Sequence, residues 1–189
     1  MMTEFKEFRL ASSYYLRKKI VKVDDNGLFN IRPTKKKINA NLISFDGKYP
    51  YVARGTGNNG IRGNIDYDTR YLNPGNTISF GQDTATMYYQ ENEYFTGDKI
   101  QIFSLNPKLG FKLNYRIAIY LITVARKLFT NFAWGQSSFA VDKIAYMKIN
   151  LPVISGTNKI DFKYMEDRVK ALEQDQVKAL DNYLAKLKN

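Results

Sequence analysis

The chain has 189 residues, enough for one domain or one domain with an appendage, and 44% of them are hydrophobic and 14% aromatic, enough for a packed core. Its net charge of +11 favours a polyanionic partner or an anionic surface. With neither Cys nor His, it excludes a disulfide framework, a thiolate nucleophile, a Cys/His zinc site and a histidine general base.

The absence of Cys is compatible with the cytoplasm, where the chain is expected to reside. The charge is unevenly placed. Residues 161–189 hold six basic and six acidic side chains, so the whole +11 lies in residues 1–160. A basic body and a neutral tail are expected to meet different partners. The most apolar run, Ile117 to Phe129, contains Arg126 and Lys127 and is too short to span about 30 Å of hydrocarbon. Glu4 and Glu7 and the lack of an apolar h-region argue against a signal peptide.

The chain opens with Phe5, Phe8 and Leu10 and a short amphipathic run through Tyr14, Tyr15 and Leu16. Arg17, Lys18 and Lys19 precede Ile20, Val21 and Val23, a predicted strand that ends in the turn Asp24-Asp25-Asn26-Gly27. Leu28, Phe29 and Ile31 resume a strand, and Pro33 stops it. Lys35, Lys36 and Lys37 follow on a loop. Such a run is either a solvated face or, with Arg32, a set of phosphate contacts.

Asp46-Gly47 turns the chain into its most distinctive stretch, YPYVARGTGNNGIRGNID at residues 49–66. Gly55, Gly57, Gly60 and Gly63 recur every two to three residues, with Arg54, Arg62, Asn58 and Asn59 between them. Glycine permits positive φ and close backbone approach. Arg and Asn bind guanine and adenine edges bidentately. The stretch reads either as a loop laid against nucleic acid or as a long β-hairpin turning at Asn58-Asn59-Gly60.

Asn73-Pro74-Gly75-Asn76 is a tight turn, and Thr77 to Phe80 a buried strand. Gly81 to Thr86, including Gln82, is a small polar loop before a strand at Met87, Tyr88 and Tyr89. Another strand runs from Lys99 to Leu105, so residues 20–105 are strands and turns. Then the period changes. Asn114 can cap a helix to about Phe129, with Ile117, Leu121, Val124 and Leu128 on one face. Trp134 to Ser138, including Gln136 and Ser137, is a loop, and Lys148 to Val153 a strand.

From about Phe162 to Leu187 the chain reads as one long amphipathic helix, capped by Asp161 or a neighbour. Met165, Val169, Leu172, Gln176, Leu180, Tyr183 and Leu187 recur every three or four residues, a coiled-coil-like seam with one polar interruption. It is expected either to fold back on the body or to pair with another helix. Its closely mixed charges suit a protein partner.

Motifs for catalysis are sparse. No P-loop is present, and Asn73-Pro74-Gly75-Asn76 lacks the second proline and the aromatic of an amino-methyltransferase motif. Asp24, Asp46 and Lys48 could imitate a carboxylate–lysine metal site, which defines the alternative reading, a stand-alone nuclease. Turn chemistry already accounts for both aspartates.

Three segments in order carry a family resemblance. Residues 49–66 resemble the central segment of target recognition domains in restriction–modification specificity subunits of type I-like systems. LNPGNTISFGQDTATMYYQENEYFTGDKIQIF at 72–103 looks like the segment that follows in that family, and WGQSSFAVDKIAYMKINLPV at 134–153 is similar to its closing motif. The resemblance implies an α+β fold: a strand-rich domain reading double-stranded DNA at 1–158, then a long spacer or dimerisation helix at 159–189. Complete specificity subunits usually have two such domains and two antiparallel helices, so a single set implies a half-subunit that pairs with a copy of itself, as a homodimer, or with another half. The resemblance also implies no catalytic residue and no cofactor, with methyltransferase and possibly nuclease or translocase subunits as partners on a split site. Arg54, Asn58, Asn59 and Arg62, with Gln82, Gln136 and Ser137 behind them, are the candidate base readers. Arg32 and Lys35 to Lys37 are the phosphate candidates.

Overall fold

The computed structural model describes residues 3–130 and 139–187. Eleven strands and three α-helices are described: β1 (Glu4–Arg9), β2 (Ala11–Leu16), β3 (Lys19–Lys22), β4 (Phe29–Pro33), β5 (Tyr49–Val52), β6 (Ile61–Ile65), β7 (Thr77–Gly81), β8 (Met87–Gln90), β9 (Phe95–Thr96), β10 (Ile100–Leu105), α1 (Tyr115–Phe129), α2 (Val141–Ile144), β11 (Lys148–Val153) and α3 (Phe162–Leu187). The fold is α+β, a strand-rich body followed by one long helix, as the sequence leads one to expect.

The main sheet has the order β3-β2-β4-β10-β7-β8. Its pairs are antiparallel except β2 with β4. All five residues of β7 are buried, which fits a strand flanked by β10 and β8 with its Phe80 packed on Phe129 of α1. Asn114 caps α1 as its sequence position suggests, its side-chain oxygen accepting from the Ile117 amide at 3.0 Å. Ile117, Leu121 and Ala125 are fully buried on the face toward the sheet, and the Phe129 ring packs against Phe80, tilted, with centroids 5.3 Å apart. This forms the principal core, with Phe29 and Phe103 at its centre.

A second, three-stranded sheet, β6-β5-β9, carries its own small core of Ile38, Tyr51, Ile65, Leu72 and Phe95. Tyr94, wholly buried, joins the two sheets. Its hydroxyl lies 3.0 Å from Thr77 Oγ1, and burial pushes it well above the ordinary tyrosine range. Residues 5 and 8 belong to β1, which pairs antiparallel with β11, Glu4 opposite Val153 and Arg9 opposite Lys148. Pro152 is tolerated there because this sheet has only two strands and Pro152 keeps its carbonyl for the Asp161 amide at 2.9 Å.

Asp161 then starts α3, its Oδ1 accepting from the Tyr164 amide at 2.9 Å. Phe162, Met165 and Val169 are buried, Phe162 stacking on Phe111 at 4.7 Å. Tyr164 meets Tyr120 of α1 edge-on, and Arg116 holds Glu173 at 2.9 Å. From Gln174 to Leu187 every residue is exposed. No described helix is long and apolar enough to cross a membrane.

Candidate nucleic-acid interface

The glycine-rich stretch is a β-hairpin: β5 and β6 pair antiparallel, Tyr49 opposite Ile65 and Tyr51 opposite Gly63. A short 3-10 turn over Asn58–Gly60 closes it, with Asn58, Asn59 and Gly60 all at positive φ. Asn tolerates that conformation better than most residues, and Gly60 has no Cβ to strike the Tyr88 ring. Asn58 donates through Nδ2 to Ile61 O at 3.1 Å. Asn59 donates to Tyr89 O at 2.8 Å, and Gln90 Nε2 returns a bond to Asn59 O. The hairpin tip is therefore fastened to β8. Both asparagine amide nitrogens hold the turn, while the exposed Arg62 guanidinium lies 5.3 Å over Phe45.

Arg54, on the near arm of the hairpin, meets Asp83 of the β7–β8 loop, and Lys99 from the β9–β10 turn reaches the same Asp83 oxygen at 2.8 Å. Three segments distant in sequence thus share one carboxylate. Gln82 lies beside it, its backbone N–H donating to Lys99 O at 3.0 Å. Arg54 and Arg62 also line a concavity of about 640 Å³ with Lys37, Asn39, Asn41, Tyr51 and Asp98.

The basic run lies on the connection after β4, held there by partners distant in sequence. Lys37 bridges Thr96 in parallel, Ile38 N donates to Thr96 O, and Tyr51 Oη donates to Ile38 O at 2.7 Å. Buried Asn73 accepts from the Lys35 amide at 3.0 Å and donates to Tyr94 O. Lys36 lies over the rings of Tyr71 and Tyr67 at 4.6 and 5.3 Å, and hydrogen bonding to the Tyr67 hydroxyl holds its pKa above the ordinary range. Lys37 pairs with Asp98 at 2.9 Å, chiefly by a hydrogen bond that lowers the carboxylate's pKa. Arg32 and Lys35 are exposed and carry no ion pair among the described residues.

Gln136 and Ser137 lie outside the described residues. The residues of the alternative nuclease reading are not gathered. Asp24 sits in the turn after β3, beside Lys6, Glu7 and Asn26, its Oδ1 accepting from the Asn26 amide. Asp46 precedes β5 of the other sheet, and Lys48 lies over the Tyr49 ring. Among the described residues no cluster of three or more Asp or Glu could hold a metal ion. Along α3, Met165 and Val169 face the body, whereas Leu172, Gln176, Leu180, Tyr183 and Leu187 are exposed. The sequence reading missed Asp98 at the concavity, and Asp83 and Lys99 joined to Arg54 beside it. It also missed Val177 and Leu184, exposed apolar side chains that widen the stripe on α3.

The model of the type I restriction modification DNA specificity domain family matches residues 18–182. The chain belongs to this family. Among curated proteins, the specificity subunit S.BcgI of a type II restriction enzyme from Heyndrickxia coagulans is 26% identical over 134 residues, covering 70% of this chain and 37% of the relative. Among solved structures, the S subunit of a type I restriction–modification system from M. genitalium superposes with a TM-score of 0.61 at 16% identity, over 95% of this chain and 41% of that one. The HsdS subunit from Thermoanaerobacter tengcongensis gives 0.53 at 11% identity, over 95% and 39%. The chain spans about two fifths of the length of these specificity proteins, and the structural likeness establishes the shared fold.

Proposed function

We propose that this specificity-domain chain reads double-stranded DNA as one half of a restriction–modification specificity subunit, directing methyltransferase and nuclease subunits to a split site. Residues 1–158 would do the reading and residues 159–189 would supply the spacer and dimerisation helix. The observation that carries this reading is that Arg54 and Arg62 of the hairpin and Lys37 of the basic run line one concavity, with Lys99 joined to Arg54 beside it through the shared Asp83 carboxylate. Cations there supply phosphate attraction, and Arg and Gln side chains supply donors for base edges. The family match supports the same assignment. The chain itself contributes recognition, and the chemistry belongs to its partners.

Arg54 and Arg62 are the leading base readers, with Gln82 beside them and Gln136 and Ser137 as further candidates. Asn58 and Asn59 act first as the turn that presents them. Arg32 and Lys35 are the best placed phosphate contacts, since Lys36 and Lys37 already have partners in the fold. The reading is tested by selecting a preferred site from random DNA and titrating binding against salt. Six or so phosphate contacts give a log–log slope near −5. In the Arg32→Ala, Lys35→Ala double variant the slope should flatten by about 1.8 while the selected sequence stays the same. An altered sequence with an unaltered slope would remove these two residues from the phosphate set.

A further inference from the structure

The β2–β3 hairpin carries three adjacent cations to which the reading above gives no role. Leu16 pairs with Lys19, so Arg17 and Lys18 alone form the turn, at φ +48° and +64°. A two-residue turn with both central residues at positive φ favours Asn-Gly, because a Cβ is strained there. This chain sets two long cations in that place. The segment from Leu16 to Ile20 is exposed throughout, Ile20 to 61%. Arg17, Lys18 and Lys19 have no ion pair among the described residues, in contrast to Lys37, Arg54 and Lys99.

Sheet topology fixes where this tip points. β2 runs parallel to β4, with Tyr14 opposite Ile31, so the turn leaves the sheet at the end where β4 delivers Arg32. β10 runs antiparallel to β4 and begins at that end with Lys99 just before it, and β7 reaches it at Gly81, followed by Gln82 and Asp83. The tip and the Arg54–Asp83–Lys99 cluster thus occupy one end of one sheet. β2, β4, β10 and β7 are consecutive neighbours, and three inter-strand steps amount to roughly 14 Å. The major groove is about 12 Å wide. Side chains of the cluster in the groove therefore bring the hairpin tip over the sugar–phosphate strand that borders it.

We infer that the Arg17-Lys18-Lys19 turn is a second anchoring point, gripping the DNA backbone one groove-width from the reading loops. This rests on the DNA-reading function proposed above and adds a contact site to it. The contact is to phosphates, so it contributes affinity and orientation and leaves sequence choice to the other loops.

The test is the double variant Arg17→Asn, Lys18→Gly, which removes both charges and installs the residues that the turn geometry favours. Its melting temperature should equal or exceed that of the unmodified chain, so a loss of binding is not a loss of fold. Affinity for the selected site and for random DNA should fall by the same factor, on the order of tenfold near 0.15 M salt, and the salt slope should flatten by about 1.8. If the unmodified chain binds DNA and the variant matches it in slope and affinity, the anchoring role is overturned and the reading function stands. A shift in the selected sequence would equally overturn it, by making the turn a base reader. If the unmodified chain shows no DNA binding, the reading function fails and the anchor fails with it.

Discussion

At the scale of single residues, Asp83 decides how the interface behaves. It is an acid on the face proposed to meet DNA, and it holds Arg54 and Lys99 together. Both pairs are partly exposed, so their worth to stability is small. Their effect is on position: Asp83 limits where the Arg54 guanidinium can point and cancels part of the local positive potential. Asp83→Asn should therefore tighten binding to random DNA several-fold and steepen the salt slope, because two cations gain phosphate partners. The same change should lower the ratio of specific to random affinity, because Arg54 loses its orientation. Arg54→Ala should cost about 1–3 kcal/mol on the preferred site and much less on random DNA. Anisotropy titrations on both DNAs measure the two effects together. A ratio left unchanged by Asp83→Asn would show that the acid merely tunes charge. None of this pairing was legible in the sequence, since 29 residues separate Arg54 from Asp83 and each lies in a locally unremarkable polar loop.

At the scale of elements, the glycines of the β5–β6 hairpin divide into two kinds. Gly60 needs its positive φ, and a Cβ there would lie 2.8 Å from the Tyr88 ring; one at Gly63 would meet Phe45 at 2.7 Å. These two are required by the fold. A Cβ at Gly55 or Gly57 would meet nothing within 4 Å, and Gly57 has an extended backbone that any residue adopts. Gly57→Ala should leave the melting temperature the same or raise stability by about 0.4–1 kcal/mol. It should nevertheless weaken DNA binding if the hairpin backbone is pressed against the duplex. Gly60→Ala should lower the melting temperature. Binding by Gly57→Ala equal to that of the parent would mean that side chains alone make the contact at that point. The two long helices, α1 and α3, were readable because their signals are local: Asn114 and Asp161 stand at capping positions, and the apolar spacing of three and four follows each of them. The strand-rich middle was readable from its turns. β1 was not, because its partner β11 lies some 140 residues away, and β9 was not, because two residues carry no periodicity. The Lys35–Lys37 run was readable as a loop, but the partners that hold it were not, because Asn73, Tyr51 and Thr96 are all distant in sequence.

At the scale of the whole molecule, the unresolved demand is the outer part of α3. Val169 is the last buried residue, and 18 further residues at 1.5 Å each carry Leu187 roughly 27 Å beyond it. Leu172, Val177, Leu180, Tyr183, Leu184 and Leu187 are 46–65% exposed along that length. Burying such side chains contributes roughly 1.5–3 kcal/mol each, so a stable assembly should cover them. Among the described residues the body does not, its last hold on the helix there being Arg116 on Glu173. A second copy running antiparallel would cover both free ends through one closed two-fold interface. The sequence seam alone, counted from Met165, centres that axis on Gln176. With Met165 and Val169 already taken by the body, the free stretch from Leu172 to Leu187 is centred near Leu180, and Gln176 moves off the axis toward the bodies. On that arrangement the product would be a homodimer with a proposed reading domain at each end, which predicts a palindromic, split DNA site. Leu180→Asp with Leu184→Asp should give monomers that melt at the parent temperature, because neither side chain touches the body's core. They should bind a single half-site with unchanged sequence preference and lose the gain from the second. Sedimentation of the unmodified chain as a monomer at tens of micromolar would sink self-pairing. The apolar stripe would then require another helical cover, for which a methyltransferase subunit is the first candidate to be tested by co-sedimentation.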